Sequence, residues 1–157
     1  MQRSFEFASD LGFDIYAVDT GFVRPEFDAS YIVANCDKAG KDQEMRLAVI
    51  DVGPNAAVSR ILQTIQELGC QSTQVAYLIL THIHLDHAGG AGLLMQECPN
   101  AKLIVHPRGA RHMIDPSALI ASALAVHGQE HVDQEYGQIL PIPATRVIES
   151  FDGLKID

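Results

Sequence analysis

Three imidazoles and a carboxylate fall within six residues in the segment Thr81-His82-Ile83-His84-Leu85-Asp86-His87. Alternate side chains of an extended segment share a face. His82, His84 and Asp86 therefore point to one side, and Ile83 and Leu85 to the other, towards a core. His87 breaks the alternation and fits the first turn of a helix. Imidazole nitrogens and a carboxylate oxygen suit Zn²⁺ at about 2.0–2.2 Å. They also suit Fe or Mn. Ligands this crowded favour two ions over one, with His82 and His84 on the first and Asp86 and His87 on the second. Two ions ~3.5–4 Å apart share a hydroxide and polarise a carbonyl or phosphoryl oxygen. A purely structural role would require four metal-type donors to meet at this spacing by accident.

The elements around the segment are those that would aim it. Val75 to Leu80 is a short apolar run, the mark of a buried strand that delivers the chain to Thr81. Residues 86–97 read as a helix, and Gly89, Gly90 and Gly92 allow it to pack closely behind the site. Upstream, Phe13 to Asp19 and Ser30 to Asn35 read as strands. Gly40 to Glu44 is a polar turn and Arg46 to Val52 a further strand, so residues 30–52 read as a hairpin. Val58, Ile61, Leu62, Ile65 and Leu68 recur at helical spacing, with Gly69 in a capping position. Downstream, Lys102 to Val105 reads as a strand stopped by Pro107. Asp115-Pro116 reads as a helix start, with a capping carboxylate and Pro at the first helical position; this helix runs to about Gly128. Thr145 to Phe151 reads as a strand, Asp152-Gly153 as a hairpin turn and Leu154 onward as a return strand. That arm stops at Asp157, so the chain is expected to be a single domain, 1–157, cut off inside a fold.

Composition narrows the classes. At 157 residues and 47% hydrophobic content the chain holds a real core. A net charge of −9, with 11 Lys and Arg against 20 Asp and Glu, disfavours nucleic acid as a partner. Cys36, Cys70 and Cys98 are an odd number at wide spacing and read as reduced thiols of a cytoplasmic protein. The N-terminus lacks the apolar region of a secretory signal, and no apolar run approaches the ~20 residues that span a bilayer.

The segment Thr81–His87 resembles the T-H-x-H-x-D-H signature of the metallo-β-lactamase superfamily. Asp51-Val52-Gly53 is similar to the D-x-G element that precedes the first helix there, whose Asp supports the metal loop without binding metal. The stretch Val105–His112, followed by Asp115-Pro116, resembles glyoxalase-II-like hydrolases of that superfamily. The resemblance implies an α/β fold of the four-layer type, here the N-terminal half of an αββα sandwich: a mixed sheet with helices on one face. It implies His82, His84, Asp86 and His87 as metal ligands, with two Zn²⁺ in a complete site and Fe or Mn as alternatives. A third His, usually in T-P-G-H, a bridging carboxylate and a final His would come from a second half, and no T-P-G-H occurs in this sequence. His106 does not match a ligand position of the family, and His112, on a short helical turn, and His127 and His131, near a helix end, read as surface or supporting residues. Arg108 and Arg111 read as surface charge, within reach of an anionic substrate.

The activity implied is hydrolysis of a small-molecule ester, thioester or lactone by a metal-bridging hydroxide. Asp86 serves as the catalytic residue that holds the second metal and orients the nucleophile. Isolated, the chain is expected to bind metal poorly, to turn over little substrate, and to self-associate or pair through an exposed half-sandwich face. Alternatives are a mono-iron oxygenase of the persulfide-dioxygenase type, a non-catalytic half that joins a partner, and, disfavoured by charge, a nuclease.

Overall fold

A computed structural model describes residues 4–35 and 45–156. Among the described residues, seven strands form one sheet in chain order: β1 (Ala8–Gly12), β2 (Ile15–Asp19), β3 (Ala29–Asn35), β4 (Arg46–Ile50), β5 (Val75–Ile79), β6 (Lys102–Val105) and β7 (Val147–Glu149). The pairs from β1 to β4 are antiparallel, and those from β4 to β7 are parallel. The sheet is therefore mixed. The switch comes where helices begin to provide the connections, because parallel neighbours need a crossover.

The helices are α1 (Asn55–Glu67), α2 (Leu85–Ala88), α3 (Ala91–Glu97), α4 (Pro107–Ile114), α5 (Ser117–His127) and α6 (Gln129–Glu135). The register runs one row straight across the sheet: Tyr16, Ile32, Val49, Leu78, Leu103 and Val147. This row joins Val58, Ile61 and Ile65 of α1 and Leu94 and Met95 of α3 in one core. The neighbouring row, on the opposite face, is Ala17, Tyr31, Ile50, Ile79, Ile104 and Ile148. It is equally apolar but less covered: Tyr31 is 39% exposed, whereas Ile104 is 5%. Strands apolar on both faces are built to lie between two layers.

Several boundaries differ from the sequence reading. Phe13 and Asp14 are not strand. They form the turn between β1 and β2 with φ of 55° and 59°, and β1 itself, polar and short, carries little strand signal. The helix expected over 86–97 is two helices. Gly90 donates its N–H to Gly53 O at 2.8 Å instead of continuing α2. Pro107 stops β6 as expected but also opens α4, with His106 as its N-cap. Pro116 is the N-cap of α5, so the helix starts one residue later than read, and the Asp115 carboxylate accepts from Ser117 N–H at 3.1 Å. The Ser117 hydroxyl, which also donates to Asp115, and then that N–H contact lower the Asp115 pKa. The strand at 145–151 shortens to β7 because Ala144–Arg146 is a 3-10 turn. There the Arg146 guanidinium donates to the carbonyls of Met95, Cys98 and Ala101. Asp152 and Gly153 do turn, but residues 154–156 form no strand. The turn read at 40–44, and Cys36, lie outside the described residues. Cys70 and Cys98 are buried thiols. No helix among the described residues is long and apolar enough to cross a membrane.

Candidate metal centre

Beyond β5 the chain leaves the sheet and runs without regular structure to His84, the N-cap of α2. His82 and His84 are exposed, Ile83 is half-buried and Leu85 is buried, so the alternation turns two imidazoles outward and two aliphatic side chains inward. Asp86 and His87 follow in the single turn of α2, both half-buried.

The donors converge. Ligand atoms of His82, His84 and Asp86 lie within 4.8 Å of one another, and so do those of Asp51, His82 and His87. The His82 ring is 4.8 Å from that of His84 and 4.3 Å from that of His87. His87 Nε2 stands 3.7 Å from Asp86 Oδ2. Two donors that bond one ion at ~2.0–2.2 Å lie at most ~4.4 Å apart. A cluster bounded by 4.8 Å reaches that with small side-chain rotations, so the donor set fits a divalent cation. His82 belongs to both groups, a different partition from the pairing of His82 with His84 and Asp86 with His87 read from the sequence.

Asp51 shows how the loop is held. It directly follows β4 in the left-handed region, φ 53°, which Asp tolerates better than most residues. Its buried carboxylate accepts Thr81 N–H at 2.8 Å and the Thr81 hydroxyl at 2.7 Å. His87 Nδ1 lies 3.2 Å from the same carboxylate. A carboxylate only accepts, so His87 Nδ1 is the donor of this contact, which in the neutral ring leaves Nε2 as the nitrogen with the lone pair. The Thr81 hydroxyl spends its one proton on Asp51. Its contact with His82 Nδ1, at 3.0 Å, is therefore accepted from His82, and in the neutral ring His82 Nε2 is likewise the nitrogen with the lone pair. One carboxylate thus sets the tautomer of two imidazoles, a usual arrangement behind metal-binding histidines. Asp51 thus braces the loop through Thr81 and His87, and it also stands in one of the two donor groups.

Backbone bonds fix the rest. Val52 and Gly53 donate to His87 O at 2.8 and 3.1 Å. Gly53 has φ 87°, and a Cβ there would come within 2.9 Å of Thr20 Cγ2. From Asp51 and His87 an open groove of about 730 Å³ runs beneath Pro25–Asp28 to Phe7 and Tyr31.

The remaining histidines lie elsewhere. His106 Nδ1 accepts the Arg108 N–H at 3.1 Å. His112 Nε2 accepts from Arg111 Nε at 3.2 Å. His127 and His131 stack on each other 5.1 Å apart. None of the four joins a metal-type donor group among the described residues. Arg108 and Arg111 are exposed on α4. Sequence reasoning missed Tyr136, which follows α6. Burial, then the charges of Asp86 and Glu135, raise its phenol pKa, so the ring stands in the field of a candidate ligand. No local pattern marks it, because the Phe22 ring and the Asp86 charge reach it from distant segments.

The family model described as the metallo-beta-lactamase superfamily matches residues 29–155. Solved structures similar to this chain include FEZ-1 metallo-beta-lactamase from Legionella gormanii, at TM-score 0.66 and 18% identity, covering 100% of this chain and 51% of that one. A subclass B3 metallo-beta-lactamase, MEM-A1, from a soil metagenome library matches at TM-score 0.65 and 19% identity, covering 99% and 50%. A metallo-beta-lactamase from Cronobacter sakazakii matches at 0.63 and 20%, covering 96% and 50%. The chain spans about half the length of these structures, and at such identities the likeness shows the fold. No curated protein matches the chain.

Proposed function

The chain belongs to the metallo-beta-lactamase superfamily, and from that premise we propose that it is a metal-dependent hydrolase acting on an ester, thioester or lactone. The observation that carries the proposal is the gathering of His82, His84, Asp86 and His87 donors, with Asp51 behind them. His82, His84, Asp86 and His87 would hold divalent cations, with Zn²⁺ the preferred ion. Bound there, such ions supply a Lewis acid for the substrate carbonyl and bring the pKa of water to ~7.

The chain's own groups do the rest. Asp51 and Thr81 present the Nε2 lone pairs of His87 and His82. The Asp86 side chain is 40% exposed, so its carboxylate has room to accept a proton from an attacking water and orient it. Packed behind them, half-buried Ile83 and buried Leu85 keep the loop from turning over. Few donors grip an ion weakly, so the isolated chain is expected to be a slow catalyst. The half-covered row from Ala17 to Ile148 is the face against which a second layer, another copy or a partner would pack.

Hydrolysis of 4-nitrophenyl acetate, a thioester and a lactone, with Zn²⁺ supplied, tests the reading. It predicts slow turnover of at least one of them that a chelator removes and His84→Ala abolishes. Equal rates for the intact chain and His84→Ala on all three would refute it.

A further inference from the structure

An aromatic stack forms around Tyr136, whose carbonyl is bonded to the start of α1. The Tyr136 ring stacks on Phe22, with centroids 5.8 Å apart and planes inclined by 29°. His131 meets Tyr136 edge-on at 6.3 Å, and His127 stacks in turn on His131. Four rings from the β2–β3 loop, from α5 and α6, and from the residue after α6 thus form one surface.

Both sides of the stack are anchored, one to α1 and the other to the end of β2. Asn55 N–H donates to Tyr136 O at 3.2 Å, and Asn55 Nδ2 donates to Gln138 O at 2.8 Å. Gly137 has φ 72°, and a Cβ there would come within 2.8 Å of Asn55 Nδ2, so the segment presses on the start of α1. Two residues earlier, Gly53 is bonded to His87 O. On the other side, Asp19 holds the Phe22 loop. Its carboxylate accepts from Gly21 N–H at 2.9 Å and Glu26 N–H at 3.2 Å, and pairs with Arg60 at 2.9 Å. Val23 sits at φ 60° within this loop, a conformation β-branched residues avoid and one that its anchors must impose. The same loop lines the groove that reaches Asp51 and His87.

Burial argues against a packing role for the stack. Tyr136 and Phe22 are only half-buried, and His127 and His131 are exposed. In α5 and α6, Val132 alone is buried. Half-wet rings locked in place lose little conformational freedom on meeting a ligand, and they offer flat apolar faces.

We propose that Tyr136, held between Phe22 and His131, is a specificity-determining residue that binds a flat, aromatic arm of the substrate while the substrate's carbonyl lies at the metal donors. The position of the carbonyl rests on the hydrolase reading; the affinity of the wall for an aromatic group does not.

Calorimetric titration of the full chain with 2-naphthoate and with hexanoate tests the proposal without turnover. The wild-type chain is expected to prefer 2-naphthoate by about fivefold. Tyr136→Leu and Phe22→Leu should each erase most of that preference, and His84→Ala, which removes a metal donor, should keep it. Circular dichroism shows whether each variant is folded, and the second variant carries the test if the first is not. Absence of the preference in wild type, or its persistence in a folded leucine variant, overturns the proposal. A Tyr136-dependent preference without ester, thioester or lactone turnover would sink the hydrolase reading and leave this one standing. Turnover without the preference would do the reverse.

Discussion

Asp51 and Thr81 are joined twice, carboxylate to amide at 2.8 Å and carboxylate to hydroxyl at 2.7 Å, and this double contact ties the end of β4 to the first residue of the metal loop. Asp51→Ala leaves the Thr81 and His87 donors without their acceptor. Loss of about 1–3 kcal/mol of stability is expected, together with a ~10–100-fold fall in metal affinity. Asp51→Asn keeps the tolerated backbone and one acceptor oxygen, so it should recover most of the stability and little of the affinity. Urea unfolding and calorimetric metal titration of both variants check this. Wild-type metal affinity in Asp51→Ala would show that the carboxylate orients nothing.

Gly92 packs against backbone. A Cβ there would stand 2.1 Å from Leu140 O, and a carbonyl cannot swing aside as a side-chain tip can. Gly92→Ala should cost about 1–3 kcal/mol by overpacking. Gly69, at φ 80° with open space around it, should tolerate Ala at about 1 kcal/mol. Denaturant midpoints of the two variants test the order.

Cys98 gives a pH dependence. Burial, assisted by the charge of Glu97 and opposed by that of Arg146, pushes its thiol from 9.0 up to about 12. Between those values an unfolded chain has released the proton and the folded chain still holds it. The contribution to stability is therefore complete below pH 9.0 and is lost as pH rises towards about 12, at up to ~1.4 kcal/mol per pH unit. Urea unfolding of wild type and Cys98→Ala across this range isolates the effect. The wild-type advantage should shrink with pH; an advantage independent of pH would contradict the assignment.

Much of this was legible where local chemistry and tertiary structure agree. The apolar spacing from Val58 to Leu68 placed α1, and the run from Val75 placed β5, because each reports the face it buries. The donors of residues 82–87 were legible because alternation alone turns His82 and His84 the same way. Elements were missed where one residue type serves two purposes. Pro107 ends a strand and opens a helix, and Gly89-Gly90 both permits close packing and divides the helix. Arg146 and Tyr136 carried no signal at all. Their partners, the Met95, Cys98 and Ala101 carbonyls and the Phe22 ring, lie some 45 or more residues away, beyond the reach of any periodicity.

The most direct test of the account is a cobalt(II) titration of the purified chain, followed by visible absorption, beside His82→Ala and His106→Ala. Cobalt(II) takes the same nitrogen and oxygen donors, and both donor groups contain His82. The wild-type chain and His106→Ala should give the same weak, saturable absorption, and His82→Ala should give none. A His82→Ala titration superimposable on that of wild type would contradict the metal centre described above.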